Sequence, residues 1–143
     1  MQIKEVMTHD VEVVRPSAPL KEAAEKMKTL DVGALPVCDG RRLVGMLTDR
    51  DISVRAVAEG RDPLDTEVQE VMTADVVYAF EDQRVEEAAQ LMSDNQIRRL
   101  PIIDRDKLLV GIVSLGDLAV SAADRSMTGA VLEEVSMPAE PKR

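Results

Sequence analysis

The stretch Gly45-Met46-Leu47-Thr48-Asp49-Arg50-Asp51 decides the fold. Gly45 lets the backbone pass close to a neighbour, and Met46 and Leu47 continue an apolar strand. Thr48 suits a helix N-cap, and Asp51 falls three residues later, in the first helical turn. Such a junction turns unpaired backbone N–H groups and the positive helix end outward, which suits an anion. A carboxylate in that turn does not attract an anion, but it accepts hydrogen bonds from neutral hydroxyls such as those of a ribose. A purely structural reading competes with this one: a Thr cap followed by an Asp that complements the helix dipole. The same plan recurs at Gly111-Ile112-Val113-Ser114-Leu115-Gly116-Asp117, and the recurrence favours the hydroxyl-binding reading.

Working outward, the repeat extends over the chain. Val6-Met7-Thr8 returns as Val71-Met72-Thr73, Met27 as Met92, and Leu35-Pro36-Val37 as Leu100-Pro101-Ile102, all at an offset of 65. Gly45 matches Gly111 at 66, so the second copy holds one extra residue in the turn between. Two copies are too few for a solenoid, and a pseudo-symmetric pair is expected. Each copy opens with a short β-branched strand, residues 11–14 and 76–78. Ser17 and Asp82 are read as caps of the helices that follow. The first helix is expected over 19–30, with Leu20, Ala23, Ala24 and Met27 on its core face; Val85, Ala88, Ala89 and Met92 repeat that stripe. Hairpin strands follow at 34–38 and 43–47 around Asp39-Gly40, and at 100–103 and 108–113 around Arg105-Asp106. Helices over 48–59, stopped by Gly60, and over 114–123 close the copies. The pattern is β-α-β-β-α, a mixed α/β (α+β) unit with a three-stranded sheet and helices on one face. The copies span 6–65 and 71–130, and residues 61–70 lead from one to the other. A last short helix is expected over 128–135. Residues 131–143 form a carboxy-terminal tail, and the prolines and charges of 136–143 suit a disordered end.

Composition narrows the function. With 45% hydrophobic and 31% charged residues the chain has the balance expected of a soluble globular protein. Tyr78 and Phe80 are the sole aromatics, so no platform for stacking bases can be built. A net charge of −9 disfavours nucleic acid and anionic membranes. Residues 1–65 carry 12 acidic and 10 basic side chains and the remainder 15 and 8, so Arg98-Arg99 stands out in an acidic half. The lone Cys38 forbids an internal disulfide or a cysteine zinc site and reads as a small core residue. The start, Met1-Gln2-Ile3-Lys4-Glu5, is unlike a signal peptide, and no run of 18 apolar residues occurs. A cytoplasmic protein is expected. His9, the one histidine, sits in a polar turn. No nucleophile–base pair, Walker-type loop or histidine metal cluster emerges, so no catalytic residue is named and an enzyme is not expected. Asp104 and Asp106 are ordinary turn residues, and no protein metal site is assigned.

Taken together, the Val-Met-Thr starts, the Leu-Pro-Val/Ile strands and the paired Gly-x-x-Thr/Ser-x-x-Asp junctions resemble a tandem pair of cystathionine β-synthase (CBS) domains, a Bateman module. The resemblance covers roughly residues 3–130. It implies two repeats packed through their sheets, with two clefts between them that bind adenosine compounds: AMP, ADP, ATP, S-adenosylmethionine or dinucleotides. By the family pattern, Asp51 and Asp117 hold ribose hydroxyls, and Thr48 and Ser114 touch phosphate or sugar. Thr8, Val11, Ala34 and Pro36, and likewise Thr73, Val76, Leu100 and Pro101, flank adenine. A basic residue before the Leu-Pro strand binds phosphate, a place held by Arg98 and Arg99 in the second copy and by Gly33 and Ala34 in the first.

That inequality departs from symmetry. If the repeats exchange contacts as the family does, Arg98 and Arg99 face the nucleotide whose ribose Asp51 holds, and Arg50 adds a donor. The Asp117 cleft then suits a less charged adenosine compound or stays empty. The resemblance implies a regulatory module that senses an adenine nucleotide, with Mg²⁺ able to accompany its phosphates. It implies a homodimer through helices 48–59 and 114–123, and output in trans to an unknown regulated protein. The alternative is a stress-associated structural or interaction protein without a physiological nucleotide.

Overall fold

The computed structural model describes residues 1–121. The expected helix over 128–135 and the 131–143 tail lie outside them, as does the end of the helix expected over 114–123. Two compact units result. The first comprises Glu12–Val76 with Lys107–Leu109; the second comprises Met1–Val11, Val77–Asp106 and the described residues from Val110 on.

In the first unit, helix α1 (Leu20–Leu30) precedes strands β1 (Ala34–Asp39) and β2 (Arg42–Thr48), which pair antiparallel in register Ala34↔Thr48 to Val37↔Gly45. Gly40, at φ +64, makes the left-handed turn between them. Helix α2 begins as Asp49–Asp51 and continues as a wider, π-type segment, Ile52–Val57, in which Ala58 N donates to Ser53 O at 2.9 Å. The strand expected over 11–14 shrinks to one parallel bridge, Val14↔Val37. The carbonyl of Val13 is taken by Lys26 Nζ at 2.6 Å, so a side chain replaces a ladder partner.

In the second unit, β3 (Ala79–Phe80) pairs parallel with β4 (Arg99–Ile103), and β5 (Leu109–Ser114) completes a sheet of order β3-β4-β5. Helices α3 (Val85–Asn95) and α4 (Leu115–Ser121) accompany it. The first strand therefore falls one residue beyond the expected 76–78. Ser17 and Asp82 are not the helix caps. The N-cap residues are Pro19 and Arg84, both extended, and Asp82 turns instead to Arg105.

Each unit has its own aliphatic core. One gathers Val14, Leu20, Ala23, Met27, Leu35, Val37 and Leu47 with Val68 and Val71. The other gathers Val85, Ala88, Met92, Leu100, Ile102, Val113 and Leu118 with Ile3 and Met7. The predicted helical stripes thus face their cores, Ala24 aside, which is exposed. The closing residues are crossed: residues 1–11 complete the unit built from the second copy, and residues 66–76 complete the unit built from the first. Thr8 and Ile112 exchange backbone hydrogen bonds at 2.9 and 3.0 Å, and Met46 and Thr73 do so at 2.9 and 2.8 Å.

Both exchanges depend on a glycine. A Cβ at Gly111 would lie 2.6 Å from Met7 Sδ and 2.8 Å from Thr8 O; one at Gly45 would lie 2.6 Å from Met72 Sδ and 3.0 Å from Thr73 O. Gly111→Ala should therefore cost about 1–3 kcal/mol by overpacking against backbone. Gly116→Ala, whose Cβ meets nothing nearer than Ser114 Oγ at 3.6 Å, should be neutral or gain up to about 1 kcal/mol in its helix. Urea unfolding of both variants measures the contrast; equal effects would remove the close-approach account.

Candidate functional site

The two junctions are built alike. Thr48 Oγ1 accepts from Asp51 N at 3.0 Å while Asp51 Oδ2 accepts from Thr48 N at 3.0 Å. Ser114 Oγ accepts from Asp117 N at 3.1 Å, and Asp117 Oδ2 accepts from Ser114 N at 2.8 Å. These are reciprocal capping boxes formed with Asp in place of the more usual Glu. The spacing Thr/Ser-x-x-Asp carried that structural signal in the sequence. Asp51 is buried at 9% exposure, with Arg55 Nε 3.9 Å from its second oxygen. Arg55 also donates to Met72 O at 3.1 Å.

Position by position, the junctions align through one backbone bond. Asp49 N donates to Gly33 O at 2.9 Å, and Leu115 N donates to Arg98 O at 2.9 Å. Gly33 thus stands where the second unit has Arg98. A Cβ at Gly33 would lie 3.0 Å from Asp49 Oδ2, so a carboxylate covers the place from which an arginine side chain springs in the other unit. The sequence showed the missing arginine but not this replacement, because residues 33 and 49 meet only through the hairpin.

Arg98 and Arg99 line a cavity of about 390 Å³ with Ser114, Leu115, Gly116 and Ala119. Both arginines are exposed and, among the described residues, neither has an ion-pair partner. The structure thus brings them to the Ser114 junction of their own copy.

The remaining expected site residues sort by unit rather than by copy. Ala34, Pro36, Thr48, Arg50 and Asp51 share the first unit with Thr73 and Val76. Leu100, Pro101, Ser114 and Asp117 share the second with Thr8 and Val11. Pro36, Leu100 and Pro101 are buried, Leu100 completely, whereas Thr8 and Arg50 are exposed. Cys38 is a core residue, 1% exposed, and burial pushes its thiol up to about 11. Among the described residues no cluster of three or more His, Cys, Asp or Glu side chains could hold a metal ion. None of their helices is long and apolar enough to cross a membrane.

The CBS domain family model matches residues 3–56 and 68–124. The CBS domain-containing protein YhcV of Bacillus subtilis (strain 168) is 47% identical over 134 residues, 94% of each chain. Among solved structures, CBSX2 in complex with AMP matches at TM-score 0.74 and 28% identity, over 85% of this chain and 95% of that one. The CBS domain pair of MJ0100, in complex with 5′-methylthioadenosine and S-adenosyl-L-methionine, matches at TM-score 0.73 and 27% identity, over 91% and 98%.

The capping boxes make a prediction that needs no ligand. Ser114→Ala should lower the stability of the free protein by about 1 kcal/mol, the usual value of an N-cap, read as a shift of the urea midpoint. An unchanged midpoint would mean that the hydroxyl does no structural work.

Proposed function

The chain belongs to the CBS domain family, and from that we propose that it is a regulatory, non-catalytic module that senses an adenosine-containing metabolite. The ligand is an adenine nucleotide, AMP, ADP or ATP, or a related adenosyl compound such as S-adenosylmethionine. The observation that carries this reading is the cavity where two arginines, without an ion-pair partner among the described residues, meet the Ser114 junction, in a family with members crystallised with AMP and with adenosyl sulfur compounds. Arginine is the side chain suited to phosphate, through its planar fork of donors.

Asp51 and Asp117 receive ribose hydroxyls. An ionised carboxylate has about four acceptor positions, and the capping box uses one of them. Thr48 and Ser114 sit beside the sugar or phosphate. Thr8, Val11, Leu100 and Pro101 flank adenine in one unit, and Thr73, Val76, Ala34 and Pro36 in the other. Arg50 adds a donor, and Mg²⁺ enters only with the phosphates. Ligand binding shifts the population of conformations that a partner protein reads in trans. The exposed valines Val54, Val57 and Val120 on α2 and α4 supply apolar surface for a homodimer. A cytoplasmic setting fits this role.

Thermal unfolding with AMP, ADP, ATP, S-adenosylmethionine and NAD tests the reading. A ligand at 100 times its dissociation constant should stabilise the protein by about 2.7 kcal/mol. Replacing Arg98 and Arg99 together by Ala should weaken AMP and ATP at least tenfold and leave 5′-methylthioadenosine, which has no phosphate, unchanged. Charge asymmetry adds a second expectation: Asp51→Ala and Asp117→Ala should reduce AMP affinity unequally, and matched losses in titration calorimetry would refute it. One observation favours the alternative, a stress-associated structural or interaction protein: both carboxylates are engaged in capping their own helices. That reading wins if no compound in the series raises the melting temperature.

A further inference from the structure

The first unit holds another polar cavity, of about 290 Å³, that shares no lining residue with its junction. Its walls are the loop Arg15-Pro16-Ser17, the turn Cys38-Asp39-Gly40 and Gln69. Backbone bonds identify the matching corner of the second unit. Gln69 N donates to Pro16 O at 2.9 Å, as Lys4 N does to Glu81 O at 3.0 Å; Val68 N donates to Ala18 O at 2.9 Å, as Ile3 N does to Gln83 O at 2.8 Å.

In the second unit the corner is filled from within. Arg105 gives Asp82 hydrogen bonds of 3.1 and 2.7 Å, and its guanidinium carbon lies 4.1 Å from the centre of the Phe80 ring. The guanidinium holds the Asp82 carboxyl below its ordinary range. At the same register the first unit has Gly40 for Arg105, Ser17 for Asp82 and Arg15 for Phe80. A Cβ at Gly40 would meet no atom within 4 Å among the described residues, and a glycine sends no side chain into the corner.

What remains is a hole with opposite charges on its walls. Arg15 reaches Glu22 only at 3.9 Å, both side chains exposed, a contact of little value. Asp39 has no side-chain partner among the described residues. A lone anion would meet Asp39, and a lone cation would meet Arg15. A molecule carrying both charges satisfies both walls.

We propose that this corner binds a small zwitterion, a free α-amino acid, with its carboxylate on Arg15 and its ammonium on Asp39. The Ser17 hydroxyl and the Gln69 carbonyl oxygen are further partners, since the Gln69 amide nitrogen is turned to Glu67 at 3.3 Å. The volume lies just under the roughly 300 Å³ at which drug-sized pockets begin, which suits a ligand of amino-acid size. The module would then take a second input, chemically unrelated to adenosine.

Titration calorimetry of the full chain with each of the twenty common amino acids tests this, with acetate and methylammonium as single-charge controls. At least one amino acid should bind once per chain, and both controls at least tenfold more weakly. Arg15→Ala and Asp39→Asn should each weaken the amino acid at least tenfold while leaving the thermal unfolding curve of the free protein in place, both side chains being exposed. The proposal falls if no amino acid binds, if binding survives both substitutions, or if acetate binds as tightly as the best amino acid.

Discussion

A methionine sulfur resting on a glycine holds each unit closed. Met72 lies on Gly45 and Met7 on Gly111, too near for any Cβ. With the methionine seated, the next residue, Thr73 or Thr8, exchanges two backbone bonds with Met46 or Ile112. Those strand residues stand two positions before Thr48 and Ser114, the capping residues of the junctions. Closure of the core and placement of the candidate site are therefore one event. Any change that lifts the methionine off its glycine disturbs the backbone from which Asp51 or Asp117 is presented.

Closure is also crossed. Ile3 and Met7 belong to the core of the second copy, and Val68 and Val71 to the core of the first. The chain must bring its first residues to elements some eighty to a hundred positions later, a loop-closure entropy that grows only slowly with length. Burial repays it: Ile3 and Val68 are fully buried, and a fully buried aliphatic side chain contributes about 1.5–3 kcal/mol.

Much of this was legible in the sequence, and the gaps have physical causes. The helical stripes and hairpins follow from periodicity and turn residues, and α1, β1 and β4 lie within a residue or so of expectation. The short first strands were displaced because two or three β-branched residues do not fix a register; the bridges of Val14 and Ala79 do. The crossing was invisible for a different reason. A repeat shows that segment 6–8 equals segment 71–73, and either could seat on either glycine, so an offset cannot say which copy a segment completes. At the junctions the residues stand where the repeat puts them, yet their reciprocal bonding goes beyond a Thr cap with an Asp that complements the dipole. Thr-x-x-Asp serves a cap and a sugar equally well in sequence, and hydrogen bonds show the first of these uses directly.

The two copies diverge where the backbone, not the side chain, does the structural work. Residues 33 and 98 each lend a carbonyl to the first N–H of the following helix, a service any residue can give; one is Gly and the other Arg. Residues 40 and 105 both sit in the hairpin turn, where one is Gly and the other fills its corner with a guanidinium. Core positions such as Val37 and Ile102, by contrast, keep their apolar character because packing density penalises change. A duplicated fold thus holds its cores and closing contacts fixed while turn and pre-strand positions vary. Such positions contribute to the lining of both cavities, so the same backbone presents an arginine-rich site in one unit and a charge-balanced one in the other.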